Sequence, residues 1–159
     1  MSQLRNPLRI NVGFMIHEPI GSYRDLDFNF KEIVLEADLQ LSDLLGKVRI
    51  NRTPQGLLLD ANFTAFVVEQ CVRCLEDYQQ TLTTEFQELF AYRNRHTQDA
   101  EFFVPEDGNI DLSPLVYENM LLAIPIKGLC RPDCKGLCTQ CGVNLNHVDC
   151  EHVDSRVVY

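Results

Sequence analysis

Four cysteines fall within twelve residues as Cys130-x3-Cys134-x3-Cys138-x2-Cys141, and a further pair stands upstream as Cys71-x2-Cys74. With Cys150 the count reaches seven. An odd number clustered at such short spacings does not describe a secreted disulfide framework; reduced thiols at this density point to metal. Zinc suits them because its closed shell asks only for four soft donors, and two cysteines two apart can place both sulfurs on one ion from a single tight turn. Gly142, directly after Cys141, allows the positive φ such a turn uses. Pro132 and Gly136 interrupt any helix that would bring the i and i+4 thiols together, so this segment is expected to be a loop shaped by its ion.

Two ligand sets are compatible with the spacing. In a local set, Cys130, Cys134, Cys138 and Cys141 close one site by themselves. In a ribbon set, the two C-x2-C pairs Cys71/Cys74 and Cys138/Cys141 share one ion, with Cys130 and Cys134 nearby. His147, Cys150 and His152 can extend the cluster, although their spacing departs from the usual zinc knuckle, and histidines near a terminus are more often solvated. His17 and His96 stand alone and read as surface or satisfied side chains.

The competing reading is a cytosolic thiol redox or metal-handling protein using Cys71-Val72-Arg73-Cys74, where Arg73 would favour a thiolate. Redox pairs of the thioredoxin type open a helix after a strand, whereas this pair lies between two expected strands. No Gly-rich phosphate loop, HExxH sequence, nucleophile elbow or Ser/His/Asp set accompanies it. Glu85 and Glu88 read as a solvated strand face. The chain is therefore expected not to be an enzyme, with no small-molecule substrate evident.

The 159 residues suffice for one ordinary domain, or one plus a small module. With 14 Lys and Arg against 23 Asp and Glu, a broad sequence-blind grip on phosphate is disfavoured, and any nucleic-acid contact must be local. Lys127, Arg131 and Lys135 lie in the cysteine segment, where their first role is to offset thiolate charge. Arg93, Arg95 and His96 beside Tyr92 form a second small basic and aromatic patch. The longest apolar run, Met120 to Ile126, is far too short to cross a bilayer and contains a proline. The first residues, MSQLRNPLRINV, lack an apolar signal core, so the cytoplasm is the expected compartment.

Hydrophobic alternation predicts strands. Leu8 to Val12 is a short one, extended by Phe14 to Ile16, and the following EPIGSYRDLDF is a loop. Ile33, Leu35, Ala37, Leu39 and Leu41 share one face of a single strand, and Val48 and Ile50 repeat the alternation. After a turn at 53–56, Leu57, Leu59, Ala61, Phe63, Ala65 and Val67 share a face, completing a hairpin. Leu82, Phe86, Phe90 and Tyr92 mark a strand whose threonines disfavour helix. Residues 93–109 read as a long mobile loop. Ser113 and Pro114 start a helix, the serine hydroxyl serving as cap; Leu115, Val116, Met120, Leu122 and Ala123 form its apolar stripe, and Pro125 ends it. The expected fold is α+β: a mostly antiparallel β-sheet body over residues 1–126 with one short helix near 113–124, then a zinc-binding, zinc-ribbon-like module and tail over residues 127–159.

The strings CVRCLEDY, IDLSPLVYENMLLAIPIKGLC and CKGLCTQCGVNLNH, in that order, together with EPIGSYRDLDF, resemble the bacterial YceD family of large-subunit ribosomal RNA accumulation proteins. The resemblance covers nearly the whole chain. It implies a mostly β amino-terminal region, a metal-binding carboxy-terminal element, and a part in the synthesis, processing or accumulation of large-subunit (23S) ribosomal RNA. Its implied partner is ribosomal RNA or a pre-ribosomal particle. The acidic balance makes a basic protein at least as apt a contact as bare RNA.

Overall fold

A computed structural model describes residues 7–36, 38–93 and 99–152. Among these residues, seven strands and one α-helix follow in chain order: β1 (Arg9–Asn11), β2 (Tyr23–Leu35), β3 (Leu39–Arg52), β4 (Gly56–Gln70), β5 (Asp77–Ala91), β6 (Phe102–Phe103), β7 (Asn109–Asp111) and α1 (Ser113–Ala123). β2 to β5 form an antiparallel meander, β6 adds in parallel to β5, and β1 pairs antiparallel with β7 as a separate ribbon. The α+β class expected from the sequence is the one observed, mostly antiparallel sheet with one helix.

β4 carries the clearest pattern. Leu57, Leu59, Ala61, Phe63, Ala65 and Val67 are all buried on one sheet face, as their alternation predicts. Phe63 is fully enclosed, its ring centroid 5.9 Å from that of Phe28 and 6.2 Å from that of Phe86. Room for it comes from the paired residue on β3. A Cβ on Gly46 would lie 2.2 Å from the Phe63 ring, so only glycine fits opposite it.

The inner sheet face is covered by Leu115, Val116 and Met120 of α1, by Ile110 of β7, and by Leu8, Val12 and Met15 near the amino terminus. α1 lies against β5 and touches β2. It starts at Ser113, with Pro114 in the first turn, and stops before Pro125, whose ring disfavours helical backbone at Ile124. The Asp111 carboxylate accepts the Ser113 N–H at 2.9 Å, so a carboxylate two residues upstream performs the capping expected of the serine hydroxyl. Leu122, placed in the apolar stripe by spacing, is instead 85% exposed. Among the described residues no helix is long and apolar enough to cross a membrane.

Four expectations are corrected. The run from Ile33 to Leu41 is two strands joined by a turn, with Leu35 paired to Leu39 and Ile33 to Leu41; Ala37 lies outside the described residues. Residues paired across this hairpin sum to an even number, so alternation continues through the turn and the break leaves no mark on the pattern. Phe14 to Ile16 belong to a 3-10 helix, Gly13–His17, because the Met15 N–H turns back to the Val12 carbonyl and Met15 is buried. The loop reading of EPIGSYRDLDF holds only up to Ser22, since Tyr23 opens β2. The polar stretch 93–109 contains β6 and the first residue of β7, with Phe90 and Phe102 rings 5.3 Å apart.

Candidate metal centre

Between β4 and β5 the chain makes a tight turn from Cys71 to Glu76. Leu75 N–H donates to the Cys71 carbonyl at 2.9 Å, and Cys71 N–H to the Glu76 carbonyl at 2.9 Å. Leu75, the residue after the second cysteine, takes φ 62°. This tip is held by the carboxy-terminal segment. Val72 N–H donates to the Gly128 carbonyl at 3.0 Å, Leu137 N–H to the Arg73 carbonyl at 3.2 Å, and the Arg73 guanidinium to the Cys134 carbonyl at 3.0 Å. His147 Nε2 meets the Glu76 carboxylate at 3.0 Å.

These contacts bring four sulfurs together. Cys71 Sγ lies 3.7 Å from Cys134 Sγ, Cys74 Sγ lies 3.7 Å from Cys130 Sγ, and all four are within 4.8 Å of one another. A disulfide would need about 2.05 Å between sulfurs. Ligands at about 2.3 Å on the corners of a tetrahedron around zinc are about 3.8 Å apart, which matches. Cys71, Cys74 and Cys134 are buried and Cys130 is half-buried, packed with Tyr78 and Leu129. The donor set and its spacing therefore fit a tetrahedrally coordinated metal ion.

The electrostatics agree with that fit. Burial opposes ionisation of Cys71, yet the amides of Cys74, Cys130 and Arg73 and the neighbouring Cys74 thiol prevail, bringing its thiol down to about 6. Burial, then the surrounding thiols of Cys134, Cys74 and Cys71, push Cys130 up to about 12. One thiolate forms readily while Cys74 and Cys130 resist further negative charge, a conflict a bound cation relieves.

Cys138 and Cys141 are not in this group. They lie with Cys150 and His152, the four ligand atoms again within 4.8 Å of one another. The six cysteines singled out by spacing are thus divided, Cys71, Cys74, Cys130 and Cys134 in one cluster and Cys138 and Cys141 in another. Neither the local set nor the ribbon set is the arrangement found, because each C-x2-C turn takes its second pair from elsewhere in the chain. Cys150 and His152, weighed in sequence as solvated tail residues, face the second pair, whereas His147 faces Glu76.

Other candidate residues have structural employment. The Arg52 guanidinium covers the Tyr92 ring at 4.9 Å and that of Arg93 covers Phe103 at 4.9 Å; Arg95 and His96 lie outside the described residues. Arg131 pairs with Asp133 at 3.6 Å. Glu85 is exposed and accepts from Asn62, but Glu88 is half-buried, and burial followed by Glu101 and Glu118 raises its carboxyl. Missed in sequence was a polar trough of about 820 Å³ on the outer sheet face, where Asp25, Asp27, Asp60 and Glu85 outnumber Lys47 and Arg49. Arg49 is already engaged by Asp25 at 2.7 Å.

Comparison with known protein families matches residues 59–158 to the family described as "Large ribosomal RNA subunit accumulation protein YceD". That span contains all seven cysteines. The chain belongs to the YceD family. YceD relatives include an uncharacterized protein of Mycobacterium tuberculosis, 34% identical over 136 residues, which are 83% of this chain and 63% of the relative. A chloroplastic "Large ribosomal RNA subunit accumulation protein YCED homolog 1" of Zea mays is 33% identical over 105 residues, 58% of this chain and 34% of the relative. The uncharacterized YlbN of Bacillus subtilis is 29% identical over 117 residues, 67% of each chain. The chain thus spans less than two thirds of the length of its mycobacterial relatives. No solved structure matches it.

Proposed function

We propose that this protein is a non-enzymatic accessory factor in the accumulation of large-subunit (23S) ribosomal RNA in the cytoplasm, with a structural zinc ion at Cys71, Cys74, Cys130 and Cys134. The observation that carries the reading is the family match, because it spans both the hairpin tip and the cysteine segment that closes on it. A structural role for the thiols is supported by their enclosure: Cys71 is 0% exposed and Cys74 and Cys134 are 3% exposed, whereas a nucleophilic thiol must meet its substrate. Zinc, when bound, supplies a fixed cross-link. The chain's own part is to present amides to the Cys71 sulfur and to hold the segment through Arg73, Val72 and Leu137. The excess of carboxylates on the outer sheet face, within a chain of net charge −9, favours a basic protein of the pre-ribosomal particle as the direct contact.

The reading is tested in a strain lacking the protein. Mature large-subunit RNA is expected to fall relative to small-subunit RNA, and the intact chain, but not Cys71→Ser/Cys74→Ser, is expected to restore it. Unchanged ribosomal RNA and unchanged particle profiles in the deletion strain would overturn the reading.

A further inference from the structure

The second C-x2-C turn repeats the backbone of the first. Gly142 N–H donates to the Cys138 carbonyl at 2.9 Å, as Leu75 N–H does to Cys71. Cys138 N–H donates to the Val143 carbonyl at 2.8 Å, as Cys71 N–H does to Glu76. The residue after the second cysteine is left-handed in both, Gly142 at φ 76° and Leu75 at φ 62°. At each turn the amides two and three residues after the first cysteine point at its sulfur, here Gln140 and Cys141 toward Cys138. Two stretches with different sequences, one joining strands and one in an irregular tail, share a backbone whose common feature is a pair of sulfurs turned to the same side.

Each turn is completed by a second donor pair from later in the chain. Cys130 and Cys134 serve the first; Cys150 and His152 serve the second, with all four ligand atoms inside 4.8 Å. We propose that Cys138, Cys141, Cys150 and His152 form a second, separate metal centre, a Cys3His site for zinc. Three thiolates and one imidazole are a standard closed shell for a structural zinc ion. The centre closes the loop 142–149 at both ends. From that loop Asn146 reaches the first cluster, its Nδ2 donating to Cys134 Sγ at 3.3 Å while its Oδ1 accepts the Lys135 N–H at 2.8 Å. The two centres are therefore neighbours joined by a hydrogen bond, the first enclosed and the second, with Cys141 and His152 exposed, open to solvent.

The test is metal stoichiometry of the full chain, prepared anaerobically without chelators, by native mass spectrometry and elemental analysis. Two zinc ions per chain are expected, falling to one in Cys138→Ser/Cys141→Ser and to one in Cys71→Ser/Cys74→Ser. Release to a chromophoric chelator is expected in two phases of equal amplitude, with Cys138→Ser/Cys141→Ser removing the faster. As a variant that spares the turn, His152→Ala in the cobalt-loaded chain is expected to change the absorption of only one of two cobalt ions. One zinc per chain that Cys138→Ser/Cys141→Ser leaves in place would overturn the second centre. One zinc that this variant loses and Cys71→Ser/Cys74→Ser retains would uphold it and overturn the first.

Discussion

Replacing Cys71 and Cys74 together by serine is expected to detach residues 127–152 from the tip of the β4–β5 hairpin while the sheet remains folded. Structural zinc in small modules is worth on the order of 10 kcal/mol, far more than the few hydrogen bonds that otherwise join the tip to the segment. Those bonds, from Val72, Arg73 and Leu137, lie at the surface end of the hairpin and do not involve the inner face, where Leu57, Leu59, Ala61 and Phe63 are buried. Backbone amides of residues 127–137 are expected to lose hydrogen-exchange protection, while β3 and the central part of β4 keep theirs. Loss of protection throughout the sheet would show that the metal organises the body itself. Full retention in the carboxy-terminal segment would show that protein contacts alone hold it.

Phe63→Ala is expected to be the most destabilising single truncation in the sheet, at about 3–5 kcal/mol. The ring is fully buried between Phe28 and Phe86, and its partner across the ladder is Gly46, which has no side chain to move into the space. That arrangement also predicts the sign of a second change. Gly46→Ala alone places its Cβ 2.2 Å from the Phe63 ring and must destabilise. In the Phe63→Ala background the obstruction is gone, and the same change relieves the backbone-entropy cost of glycine in a strand and fills part of the cavity. Urea unfolding of the four proteins measures this coupling. Additive effects, or a cost below about 1 kcal/mol for Phe63→Ala, would contradict the packing described.

What was legible in the sequence follows from which interactions are local. β4 was readable because every second residue meets the same core and no irregularity interrupts it. β3 was readable only in pieces: its buried positions are odd at Leu39 and Leu41 and even at Leu44, Val48 and Ile50. The ladder shifts register between Ser42 and Leu45, where Asp43 takes φ 47°, and one extra residue reverses which side chains face inward. The turn before β3 was hidden for the opposite reason, because it preserves parity. Residues 102–109 looked like loop because the strands they enter are two and three residues long, and their pairing partners are distant in sequence.

The candidate metal site was legible in the same partial way. Two cysteines two apart determine a local turn, and both turns form, with the left-handed position after the second cysteine taken by Leu75 in one and Gly142 in the other. Which second pair meets each turn depends on where the β4–β5 hairpin tip comes to rest, a tertiary fact absent from spacing. Cys71 and Cys130 are brought together by a sheet and a helix folded between them. Cys150 and His152 carried the weakest sequence signal, since their spacing from Cys141 matches no usual pattern.

The claim on which this account depends is that the thiols clustered around Cys71 and Cys74 are ligands to a metal ion. X-ray absorption at the zinc edge, on the full chain prepared anaerobically without chelators, measures this directly. Bound zinc is expected, with a first shell dominated by sulfur at about 2.3 Å. In Cys138→Ser/Cys141→Ser, where only the enclosed cluster remains, the shell should consist of sulfur alone. A protein without zinc, or a shell of nitrogen and oxygen in that variant, would contradict it.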